Sequence, residues 1–152
     1  MDLRTKLALI AASFALCTAA EAQQPAEFQY LVKFVCGQPT APVVAPGTYF
    51  TAINVHNTSR ESVVIRKRFS VALPGEKAGP LSDWFEAKLD SANSFEIDCP
   101  DILKHLKQEK FVKGFAIIES KAELEVVAVY TAAGATKQVE AMEVQRVQSR
   151  RP

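Results

Sequence analysis

Phe28-Gln29-Tyr30-Leu31-Val32-Lys33-Phe34-Val35-Cys36 is the stretch from which the fold follows. Phe28, Tyr30, Val32, Phe34 and Cys36 occupy alternate positions. That two-residue period belongs to a β-strand with one buried face. Cys36 is therefore expected to point into the core at the strand's end. Gly37-Gln38-Pro39 breaks the strand, and Pro42, Pro46 and Gly47 hold an extended loop before the next one. In Thr48 to Asn57, Tyr49, Thr51, Ile53 and Val55 alternate with Phe50, Ala52, Asn54 and His56. This pattern predicts a strand buried on most of both faces. Asn57-Thr58-Ser59 matches a glycosylation acceptor pattern but reads more simply as a turn.

Ser62 to Leu73 is the clearest long strand, with Val63, Ile65, Phe69, Val71 and Leu73 inward and Val64, Arg66, Arg68 and Ser70 outward. Lys67 breaks this alternation, which a strand end, a bulge or a snorkelling side chain would accommodate. Pro74-Gly75 and Gly79-Pro80 bracket an expected loop, and Asp83 to Leu89 reads as a short strand or a helical turn. Phe95, Ile97 and Cys99 alternate with Glu96 and Asp98, so the second cysteine also faces inward at a strand end. Pro100 suits the first turn of a short helix reaching about Gln108, capped by Asp98 or Cys99. Two apolar strands follow, Phe111 to Glu119 and Glu123 to Ala132, and the polar link Ser120-Lys121-Ala122 predicts a hairpin.

Thr136 to Val147 has helical propensity in Glu140-Ala141-Met142-Glu143 but strand alternation with a phase shift. Strand is preferred, because it closes a sandwich and a terminal helix would have no apolar stripe. Short strands, Gly/Pro turns and one short helix together predict an all-β fold: an antiparallel β-sandwich of about seven strands, immunoglobulin-like in general architecture. Its expected extent is 28–148 as a single domain, after a polar leader at 23–27 and before a frayed basic tail at 149–152. Hydrophobic residues make up 48% of the chain and the formal net charge is +1, which argues against disorder and against bulk attraction to nucleic acid.

The first 22 residues read as a cleavable export signal. Arg4 and Lys6 supply the positive start, Leu7 to Leu16 the apolar stretch, and Ala20-Glu21-Ala22 the cleavage site. Lipid attachment at Cys17 is disfavoured by bulky Leu16 before it. No later segment is long and apolar enough to span a bilayer, so the expected location is periplasmic or extracellular. Such a compartment permits a disulfide.

The blocks Tyr30 to Gly37, Tyr49 to Asn57, Phe95 to Ile102, Phe111 to Ser120 and Val126 to Thr131 together resemble an uncharacterised family of small exported bacterial proteins. The resemblance covers nearly all of the mature chain. It implies a β-sandwich, no assigned activity and no functional residues to transfer.

Joining Cys36 to Cys99 would close a loop of about 60 residues and stabilise the fold by roughly 4 kcal/mol in the chain-entropy account. Adding His56 and His105 for a Cys2His2 metal site fails on spacing, since no paired short-range ligand element is present. A Cys99–His105 nucleophile pair is nominally available, but Cys99 is committed to the core and His105 is expected on a solvated, Lys-rich helix face. Glu96, Asp98 and Asp101 do not have the spacing of a calcium loop, and helix capping accounts for the aspartates. Arg66 and Arg68 share an outward face and, with Arg146, form a candidate stripe for an anionic partner. Trp84 and Phe85 are candidate ligand aromatics in a Pro/Gly-bounded loop.

The leading expectation is thus a non-enzymatic exported binding or assembly module without cofactor or metal, whose partner is an unidentified protein or glycan. Self-association is left open. A carbohydrate- or small-ligand-binding sandwich is the alternative, and a hydrolase-type enzyme ranks third. Intact-mass analysis of exported material is expected to show a chain beginning at Gln23. Material retaining residues 1 to 22, or acylated at Cys17, would contradict the signal assignment.

Overall fold

The alternating stretch forms β1 (Phe28–Cys36), the first element of an antiparallel sandwich. The structure, a computed structural model, describes residues 25–40, 44–108, 110–134 and 138–152. The signal segment 1–22 and Cys17 lie outside the described residues. After β1 come β2 (Thr48–His56), β3 (Val63–Leu73), β4 (Lys77–Leu81), β5 (Phe85–Leu89) and β6 (Ser94–Asp98). Then follow α1 (Cys99–Leu106), β7 (Val112–Ser120), β8 (Glu125–Ala133) and β9 (Val139–Arg146). One sheet has the order β1-β7-β3-β4, with β5 also on β3, and the other is β6-β2-β8-β9. The described residues thus form nine strands, two more than the sequence pattern predicts.

Between the sheets lie Tyr30, Val32, Phe34, Ile53, Val55, Ile65, Phe69, Ile97, Ile102, Ile118 and Val126, each at most 1% exposed. Phe34 packs over Gly114, where an added Cβ would sit 2.8 Å from the ring and 2.0 Å from the Ser70 carbonyl oxygen. Only glycine lets β7 pass that close to β3.

Cys36 and Cys99 form the expected disulfide, with Cα atoms 5.5 Å apart. It links β1 of one sheet to the first residue of α1, which directly follows β6 of the other. Thr51 strengthens the same corner. Its hydroxyl accepts from Val35 N at 3.0 Å and donates to Val35 O at 3.1 Å. The outer edge of β1 is therefore sealed against β2, and a bridge between Gly37 and Tyr49 continues the closure.

The predicted hairpin at 120–122 is not formed. β7 pairs with β1 and β3, whereas β8 pairs with β2 and β9, so the link between them crosses from one sheet to the other. No residue in that link has positive φ, so the tight reversal of a two-residue hairpin is absent. Instead Leu124 is buried, and the Tyr30 hydroxyl donates to its carbonyl at 2.9 Å and accepts from its N–H at 2.7 Å. Those two bonds satisfy the backbone of Leu124, where the otherwise surface-lying link enters the core.

Other expectations are corrected. β2 is buried on one face only, with Phe50 40% exposed on the other. Leu73 is exposed at the end of β3, and the expected loop after Pro74 contains β4, paired to β3 with a register shift near Ser70. Pro80 fits there because β4 lies on a sheet edge. The strand reading of the C-terminal segment holds, but every residue of β9 is exposed rather than inward on one side. The tail is not frayed at Arg150, whose backbone exchanges hydrogen bonds with Gln29 at 2.8 and 2.9 Å.

Asn57 was legible only as a turn residue, yet it is fully buried. Its side-chain nitrogen donates to the carbonyls of Glu61, Leu89 and Asp90 at 2.7 to 3.2 Å, and its oxygen accepts from Ser59 N and Oγ. One side chain thus ties the β2–β3 turn to the end of β5. Asn57→Ala removes all three of these bonds and both Ser59 contacts, including the buried bond to the Leu89 carbonyl, and is expected to destabilise by roughly 2–4 kcal/mol. A denaturant midpoint unchanged from the parent would contradict this role.

Candidate functional site

The outward residues of β1, β7, β3 and β5 form cross-strand rows on the five-stranded sheet. In the first row Gln29, Glu119, Arg66 and Glu86 lie opposite one another. Glu119 is only 9% exposed; it accepts from Gln29 Nε2 at 2.8 Å and pairs with Arg66 Nε at 3.1 Å. That contact is an ion pair without directional hydrogen-bond geometry, because Arg66 Nε still lacks an acceptor along its N–H. Arg150 closes the row by donating from Nε to Gln29 Oε1 at 2.9 Å.

Leu31, Ile117 and Arg68 make the second row, and Lys33, Phe115 and Ser70 the third. The guanidinium carbons of Arg66 and Arg68 lie 4.1 and 4.3 Å from the Trp84 ring, so the indole orients both cations. Arg68 differs from Arg66 in its charge balance. It forms no salt bridge among the described residues, and its buried Nε has no hydrogen-bond acceptor. Lys33 Nζ sits 4.7 Å from the Phe115 ring, and Lys113 follows diagonally on β7. Burial, and then repulsion from Lys113, hold the Lys33 amine below the usual lysine range. Beside these rows an open groove of about 1030 Å³ runs past Ser59, Arg60, Val64, Arg66 and Lys121.

Arg146 does not join this surface. It lies on β9 of the other sheet, where its guanidinium pairs with Glu125. The three-arginine stripe is thus divided, and Lys33 and Lys113 take the place given to Arg146. Those lysines were missed because strand register, which sequence does not supply, is what brings β1 and β7 beside β3. Trp84 and Phe85 also separate. Trp84 joins Arg66 and Arg68 on the outer face, while Phe85 packs inward on Phe69.

On the inner side, Lys67 stays in phase with Ile65 and Phe69, and its amine reaches Phe95 of the opposite sheet at 4.8 Å from the ring. Snorkelling is therefore how the sequence irregularity is accommodated. Burial lowers the Lys67 pKa, and Asp101 opposes that shift. His105 is not on a solvated face. Its ring centroid lies 3.8 Å from that of Phe85 and 5.8 Å from that of Phe69. Burial and the Lys67 charge lower its pKa, against an opposing Asp101.

Cys99 is held in the disulfide, while His56 Nδ1 meets Ser94 Oγ at 2.8 Å. Asp98 and Asp101 form a reciprocal capping box on α1, and Glu96 lies exposed on β6 opposite Asn54. Among the described residues no three His, Cys, Asp or Glu side chains gather as metal ligands. No described helix is long and apolar enough to cross a membrane.

No protein-family model matches the chain, and no curated protein matches it. Among solved structures it is similar to a crystal structure of Thermotoga maritima 1070, with a TM-score of 0.54 and 13% identity. The match covers 82% of this chain and 95% of that one. At that identity the likeness concerns the fold alone.

The His105 environment has a measurable consequence. A histidine whose folded pKa lies below its unfolded value gives the unfolded state more bound protons as pH falls, so stability drops between those two values. NMR titration should place the His105 midpoint below the ordinary 6.5. His105→Gln should flatten the loss of stability on acidification below that value, and an identical pH profile would contradict the assignment.

Proposed function

We propose that the chain is an exported, non-enzymatic binding module whose five-stranded sheet presents a basic outer face to an acidic protein or glycan. The observation carrying this reading is Arg68. Its guanidinium is fixed against Trp84, its Nε is buried, and no acceptor among the described residues completes it. The buried Nε is closed to a second molecule, so it is the positive charge of the rest of this fixed guanidinium, unpaired among the described residues, that suits an anion supplied from outside. Lys33 and Lys113 add two cations without salt bridges among the described residues. Arg66 contributes position more than charge, since Glu119 offsets it.

Export is supported by the positively charged, apolar start of the sequence and by the cross-sheet disulfide, which an oxidising compartment maintains. The resemblance to small exported bacterial proteins agrees with this reading. A glycan site formed by Trp84 and Phe85 together is less favoured, because the rings point to different sides of the sheet.

Retention on an immobilised sulfated polysaccharide provides the test. The variant combining Lys33→Ala, Arg68→Ala and Lys113→Ala should elute at markedly lower salt than the parent, whereas Arg146→Ala should elute with it. Arg68→Ala alone should cost no more than about 1 kcal/mol of stability, the scale of a cation–π contact. A folded triple variant retained as strongly as the parent would reject the basic face as the contact.

A further inference from the structure

β9 is an edge strand of a different character from the others. β1 is sealed by Thr51, the Gly37–Tyr49 bridge and the Gln29–Arg150 bridge. β4, β5 and β6 have five residues each, and β4 carries Lys77 and Pro80. β9 has eight residues, contains neither lysine nor proline, and is exposed throughout. Such an edge offers unpaired backbone groups to another strand.

Its side chains extend an apolar outer face. Ala52, Val129 and Val144 lie opposite one another across β2, β8 and β9, and Phe50, Thr131 and Met142 form the neighbouring row. Met142 is 68% exposed, Val144 61% and Phe50 40%. The rows end abruptly at β9, with their most exposed positions at the open edge.

We infer that this edge pairs with the β9 edge of a second copy of the chain, antiparallel about a two-fold axis through Glu143. The sequence of β9 is self-complementary in that register. Met142 faces Val144 of the second copy on the outer side, and the reverse contact follows by symmetry. Each apolar row then continues across the axis into the other row, from Ala52, Val129 and Val144 to Met142, Thr131 and Phe50 of the second copy. Arg146 stays paired with Glu125 of its own chain and Glu140 lies at the irregularity that shifts the β8–β9 register, so residues 141–145 carry the contact. Only Glu143 meets its own kind, so like-charge repulsion is confined to the axis. The product is one continuous eight-stranded sheet built from two four-stranded ones.

Sedimentation equilibrium of the oxidised protein should show a reversible dimer. A chain that stays monomeric across the micromolar to millimolar range would overturn the inference. Combining Met142→Lys with Val144→Lys should give a monomer whose circular dichroism and unfolding midpoint match the parent. If that folded variant still dimerises as the parent does, the contact lies elsewhere and the inference fails.

Cysteine cross-linking reads the register independently of those variants. Glu143→Cys should form an intermolecular disulfide under mild oxidation, because residues opposite one another on paired strands lie about 4.5–5.5 Å apart at Cα. Gln145→Cys, which faces Ala141 of the second copy, should form far less. Equal cross-linking at both positions would overturn the two-fold axis through Glu143. Glu143→Gln should tighten the dimer by about two- to five-fold, the scale of relieving one cross-strand like-charge pair. Weaker association of that variant would contradict the pairing.

Discussion

Val35 presents an N–H and a carbonyl on the open side of β1, and a single hydroxyl, that of Thr51, answers both. The rest of the sandwich depends on this exchange. Thr51 belongs to the other sheet and is fully buried, so the bond fixes how the two layers meet at one corner. The Thr51 N–H lies 3.1 Å from Cys99 Sγ, and Cys99 is joined to Cys36 one residue beyond Val35. Hydrogen bonding, crosslink and core packing therefore converge on the same few residues. None of these bonds reaches the outer edge of β9, which stays open even though the chain beyond it returns to β1 through the Gln29–Arg150 bridge.

What the sequence made legible was local. Period-two alternation located β1, β2, β3 and β6, and it put both cysteines inward at strand ends, which is why the disulfide could be anticipated. Asp98 and Pro100 announced α1 for equally local reasons. Pairing was not local. Ser120 to Ala122 looked like a hairpin link because two apolar strands flank it, but β7 finds better partners in β1 and β3, and Tyr30 secures the crossing from 94 residues away. No short-range signal encodes that choice.

The candidate surface followed the same division. Arg66 and Arg68 were readable as outward neighbours on one strand. Arg146 was assigned to them by charge alone and proved to lie on the other sheet. Lys33 and Lys113 were hidden because each sits on its own well-patterned strand as an ordinary polar position. His105 was misread for a related reason. Its Lys-rich helix suggested solvent, whereas it lies at the aromatic margin between the layers, beside Phe85, where the snorkelling Lys67 also reaches Phe95.

The crossing link also orders events during synthesis. β7 lies between β1 and β3, and β8 between β2 and β9, so each sheet is organised around a strand from the last third of the chain. A nascent polypeptide ending near Gln108 would hold both cysteines yet lack the central strand of either layer. β1 and β3 would then have nothing between them, and β2 would have only β6. Such a chain would be crosslinkable before it was foldable, and the thiols would meet under the control of chain diffusion rather than native geometry. Because Cys36 and Cys99 have no third cysteine between them or after them, that early encounter has one intramolecular outcome within this stretch of chain. The late arrival of β7 therefore carries little risk of mispairing.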